Sequence, residues 1–135
     1  MFRYRREFDE LDEEVMERFE NCENQFIVSA ESILEIANLL AVGRIEIPGW
    51  KTFDDVKKSV DDLGFEIRYV VEAHLKTFFK LRRAPGHNDP VDLVLLAQAI
   101  TEKLPMISSD TDFPFYVDQG LELVFNSRRR RRRRG

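Results

Sequence analysis

The segment His87-Asn-Asp-Pro-Val-Asp-Leu-Val-Leu-Leu-Ala-Gln-Ala-Ile-Thr-Glu-Lys-Leu-Pro-Met-Ile-Ser-Ser-Asp-Thr-Asp-Phe113 decides how this chain folds. Asn88 or Asp89 can accept hydrogen bonds from the first free amides of a helix, and Pro90 suits its first position. Val91, Leu93, Val94, Leu95, Leu96, Ala97, Ala99 and Ile100 then place apolar groups on nearly every side, the pattern of a buried helix. Pro105 is expected to end it, and Met106 with Ile107 to form a short apolar strand. Asp110 and Asp112 follow just past that strand's carboxyl end, where open α/β sheets bind their ligands.

Working outward, Phe8, Leu11, Val15 and Phe19 predict an amphipathic helix before a short strand at 25–29. Ser29 can cap the next helix, whose stripe of Ile33, Ile36, Ala37 and Leu40 runs to Gly43. Residues 44–48 read as extended, 54–63 as a helix closed by Gly64, 65–70 as a strand and 71–81 as a helix. After a loop through Pro85 and Gly86 come the helix and strand described above, then a last strand at 121–125. Helices alternating with short apolar strands, without hairpin signals, predict an α/β domain with a parallel sheet covered on both faces. Phe53, Phe65, Phe78, Phe79 and Phe125 fall at expected core positions.

The 135 residues suit a single domain, expected over 1–126, with an Arg-rich tail over 127–135. Seven of the 21 Lys and Arg form the run Arg128 to Arg134; the remaining 14 face all 25 Asp and Glu, so the body carries about −11. Such a body is no general polyanion-binding surface, and work on nucleic acid would need metal, local basic patches or the tail. The Arg run also has the composition of a disordered segment. Cys22 stands alone, which excludes an intrachain disulfide and favours a reducing compartment. No segment has the ~20 apolar residues of a membrane helix, so a cytoplasmic protein without a membrane partner is expected.

Glu35, Asp92 and Asp110 are the candidates for chemistry, with Asp112 beside them. Carboxylates at the open end of a parallel sheet can hold Mg²⁺ or Mn²⁺, which take hard oxygen ligands. Each acid also has a structural explanation: Asp92 complements the helix N-terminus, Glu35 is a solvated helix residue, and Asp110 caps the turn to Phe113. His87 and His74 lie on different elements and form no metal pair, and neither G-x-S-x-G nor a Gly-rich phosphate loop is present.

Two blocks resemble the PIN-domain nucleases, specifically the VapC-like toxins: His87-Asn-Asp-Pro-Val-Asp92 through Met106-Ile-Ser-Ser-Asp110-Thr-Asp-Phe113, and Val28-Ser-Ala-Glu-Ser-Ile-Leu-Glu35 followed by Gly43-Arg-Ile-Glu-Ile-Pro48. The resemblance implies a doubly wound α/β fold and an Mg²⁺- or Mn²⁺-dependent endoribonuclease. Glu35, Asp92 and Asp110 would serve as catalytic and metal-binding acids, and Asp112 as an outer contributor. It also implies an RNA substrate, a cognate antitoxin and a homodimer. Such proteins open with a buried strand of the type Leu-Leu-Asp-Thr, whose Asp is a principal ligand. Met1 falls where they enter their first helix, so this chain is expected to lack that central strand and that ligand. Two alternatives stand beside the nuclease: an inactive, truncated PIN domain that binds an antitoxin or another partner, and a phosphoacceptor receiver domain. The latter wants an early acid pair and a Lys ending a late strand, and neither is present.

Overall fold

A computed structural model describes residues 26–126. The predicted helix around Phe8 to Phe19, Cys22, the expected lack of a first strand and the Arg128 to Arg134 run all concern residues outside this range. Within it the order is β1 (Phe26–Ser29), α1 (Ala30–Ala41), α2 (Phe53–Asp62), β2 (Phe65–Arg68), α3 (Glu72–Lys80), α4 (Pro90–Glu102), β3 (Met106–Ser108), a 3-10 helix (Phe113–Gln119) and β4 (Leu123–Phe125).

Local chemistry explains most of the boundaries. The Ser29 hydroxyl accepts from the Glu31 amide at 3.1 Å to start α1. Thr52 and Asp55 form a reciprocal capping box at α2: Asp55 N–H donates to the Thr52 hydroxyl, and the Asp55 carboxylate accepts from the Lys51 and Thr52 amides. Those amide bonds hold the Asp55 carboxyl below its ordinary pKa. At α4, Asp89 rather than Asn88 supplies the cap, accepting from Val91 N–H at 3.0 Å, and Pro90 takes the first helical position. The helix ends at Glu102, before Pro105, because Lys103 turns left-handed with φ 57°. Residues 44–48, expected to be extended, form no strand.

The strands make two parallel pairs, β1 with β2 and β3 with β4, in the registers Phe26 to Phe65 and Met106 to Leu123. An α/β architecture with small parallel sheets is therefore present among the described residues. One core joins Ile27, Leu93, Leu95, Leu96, Ala99, Met106, Phe113, Tyr116 and Leu121. A second, of Val28, Ile33, Val56 and Val60, holds α1 and α2 against the first strand pair. Ile107 and Val124 meet Phe26 and Phe65, so side chains of the two strand pairs touch. These contacts bury α4 on almost every side, as its composition predicts.

Two expected core aromatics are not core. Phe79 is 86% exposed and Phe53 50% exposed. Helix α3 lies on α4, with Phe78 packed on the main core, and the following residue is about 100° further round the helix. Phe53 opens α2 one residue after its cap, before the helix reaches the core through Val56 and Val60. Phe65, Phe78 and Phe125 are half-buried. No helix among the described residues is long and apolar enough to cross a membrane.

Candidate functional site

Asp92 lies in the first turn of α4, where the helix's unpaired amides and dipole favour a negative group. It is nonetheless only 4% exposed, which makes it the one buried acid among the described residues. A buried carboxylate needs donors, and the His87 ring provides one: Nε2 is 3.3 Å from Asp92 Oδ2. His87 is equally buried and comes from the loop before the helix, turned inward five residues ahead of Asp92. Its other nitrogen, Nδ1, is 2.8 Å from the Tyr116 hydroxyl, which also accepts from Ala84 N–H at 2.9 Å. The ring sits edge-on to Tyr116, at 5.6 Å, and near Phe113, at 6.0 Å.

Asp110 is half-buried beyond the carboxyl end of β3. Its amide donates to the Ser108 hydroxyl at 3.0 Å, and its Oδ1 accepts from Asp112 N–H at 2.9 Å. The Asp110 carbonyl in turn accepts from Phe113 N–H at 3.2 Å. The predicted role in the turn to Phe113 is thus present, and it leads straight into the 3-10 helix that carries Tyr116. Asp112 is half-buried and gives that helix no side-chain cap. Glu35 is half-buried on α1, one turn beyond the fully buried Ser32. Helices α1 and α4 are in contact, which brings together the elements bearing Glu35 and Asp92.

Carboxylate oxygens are the donors that Mg²⁺ and Mn²⁺ take, so Glu35, Asp92 and Asp110 fit such an ion in kind. Among the described residues no three His, Cys, Asp or Glu side chains come together as a group able to hold a metal. The three acids stand one each on α1, at the start of α4 and in the turn after β3. Two buried polar atoms, Ser32 Oγ and Gln98 Oε1, have no hydrogen-bond partner among the described residues.

Sequence reasoning set His87 aside as a metal ligand and did not single out Tyr116. His87 was readable as the first residue of the His-Asn-Asp-Pro-Val-Asp segment, but its partner lies 29 residues on. His74 is also buried, in a separate network at the other end of α4: its Nδ1 accepts from Val71 N–H, and its Nε2 contacts Glu102, which Arg68 also pairs. Burial, with the nearby Arg68 guanidinium, lowers the His74 pKa. Arg68 already balances Glu102, and the Val71 amide requires an unprotonated Nδ1, so the ring is neutral and donates from Nε2.

No curated protein and no solved structure matches this sequence. The PIN domain family model matches residues 3–116, a span that includes β1 to β3, α1 to α4 and the loop and turn residues around Asp92 and Asp110. With most of its length matched, the chain belongs to the PIN domain family.

Proposed function

We propose that this chain is a Mg²⁺- or Mn²⁺-dependent endoribonuclease of the VapC toxin type, the toxin half of a toxin–antitoxin pair, with a doubly wound sheet over residues 1–126 and an Arg-rich tail over 127–135. Membership of the PIN family supports a nuclease-type function on RNA or other nucleic acid, and such nucleases generally use divalent metal ions. The observation that carries the finer reading is Asp92, an acid buried at a helix N-terminus inside the His-Asn-Asp-Pro-Val-Asp segment, with Asp110 just past a strand's carboxyl end. Asp92, Asp110 and Glu35 would hold the ion, and Asp112 would contribute from outside. When bound, the ion supplies charge stabilisation at a phosphodiester and a water of lowered pKa. The toxin reading implies a cognate antitoxin, a homodimer and a cytoplasmic setting.

One observation favours a second reading, a PIN module that binds an antitoxin or other partner without cutting RNA: no three acids are assembled among the described residues. RNA cleavage by the full chain in Mn²⁺ or Mg²⁺, beside EDTA and Asp92→Asn, decides between them, with a thermal melt on each sample. Metal-dependent cutting abolished in a folded Asp92→Asn supports the nuclease. Cutting retained in that variant overturns the assignment of Asp92, and no cutting by folded wild-type chain favours the binding module.

A further inference from the structure

The geometry points to His87 and Tyr116 as positioning residues that fix the carboxylate of Asp92, an inference that rests on Asp92 being an acid of the nuclease site. Four groups form one buried chain of hydrogen bonds. Ala84 N–H donates to the Tyr116 oxygen at 2.9 Å; the hydroxyl and His87 Nδ1 are 2.8 Å apart; and His87 Nε2 is 3.3 Å from Asp92 Oδ2. The direction follows from chemistry. The backbone amide can only donate, so the Tyr116 oxygen accepts from Ala84 and keeps its own proton free for Nδ1; in that order the ring presents Nε2–H to Asp92, which ring nitrogen spectra test.

Ala84, His87, Asp92 and Tyr116 are all buried, and the Phe113 and Tyr116 rings flank the imidazole. Burying an imidazole against a buried carboxylate is not needed for helix capping, which Asp89 already provides at α4. Nor is it needed to fill volume, since an apolar residue would do so without desolvating two polar groups. What the chain of bonds adds is a fixed orientation for one carboxylate, set by a tyrosine on a different element. Donors behind a ligand carboxylate have this effect in metal sites generally, where their loss weakens metal binding or activity about 10–100-fold.

The test compares His87→Asn with His87→Gln in the full chain. Both remove the ring, but the Gln amide N–H can stand where Nε2–H stood, whereas the Asn amide is too short to reach. Mn²⁺ affinity from electron paramagnetic resonance titration and Mn²⁺-dependent RNA cleavage are measured on wild type, both variants and Asp92→Asn. His87→Asn is expected to weaken Mn²⁺ binding and to lower cleavage about tenfold or more, and His87→Gln to recover most of both. Ring nitrogen-15 spectra of wild type, assigned by the signals lost in His87→Gln, are expected to show His87 protonated on Nε2 alone. Equal behaviour of the two His87 variants at matched melting temperature, with wild-type cleavage still dependent on Asp92, overturns the positioning role and leaves the nuclease reading intact. A proton on Nδ1 overturns the bond order from Tyr116. No cleavage by folded wild type overturns the nuclease reading and the positioning role with it.

Discussion

Tyr116→Phe removes one oxygen and keeps the ring, so it measures what the buried hydroxyl contributes. That oxygen serves two interior groups, Ala84 N–H at 2.9 Å and His87 Nδ1 at 2.8 Å, and Tyr116 itself is fully buried. Each group left unsatisfied costs about 1–3 kcal/mol, and not having to desolvate the hydroxyl returns roughly 1–2 kcal/mol. The expected net loss is about 1–4 kcal/mol, a sizeable part of a typical stability of about 5–15 kcal/mol. Between the values for smaller and larger domains, one kcal/mol moves the melting temperature by roughly 3–5 °C, so the fall is about 3–20 °C. Urea unfolding followed by circular dichroism, with an unchanged slope, gives the free energy, and Tyr69→Phe is the control because Tyr69 is exposed. A loss under about 0.5 kcal/mol, no larger than a surface substitution, would refute the claim that the hydroxyl satisfies both partners.

Leu96 is fully buried in the main core, and Leu96→Ala is expected to cost about 3–5 kcal/mol in the same urea assay. Gly120 has φ 106°, and a Cβ there would stand 3.3 Å from Ile100 Cγ2; Gly120→Ala is expected to lose at least about 1 kcal/mol. His74 binds a proton more weakly folded than unfolded. Its contribution is therefore fully present above its ordinary value of 6.5 and is lost as pH falls from there toward the lowered folded value. Urea midpoints at pH values from about 7.5 down to 5 are expected to decline less steeply in His74→Gln than in wild type; parallel declines would absolve His74.

Much of the fold was legible because its signals are local. A hydroxyl or carboxylate before an apolar run marks a helix start, and Ser29 and Asp89 do cap α1 and α4. The strands at Phe26, Phe65 and Met106 likewise follow from short apolar runs between turn residues. The 3-10 helix at Phe113–Gln119 escaped notice because Phe-Pro-Phe-Tyr-Val carries no 3.6-residue period. The early end of α4 depends on the left-handed Lys103, a conformation that Lys seldom signals. Phe53 and Phe79 misled because hydrophobicity says that a side chain can be buried, not which neighbour arrives to bury it.

The candidate acids divide in the same way. The sequence by itself determined that Asp92 lies in the first turn of a buried helix and that Asp110 follows a strand, since caps, prolines and apolar runs act within a turn or two of the chain. Only the tertiary structure decided that Asp92 is buried, that His87 turns inward to meet it, and that Tyr116 holds the far side of the ring. Those contacts join residues as many as 29 positions apart. Their existence depends on how α4, the loop before it and the 3-10 helix close around one core, which no local pattern encodes.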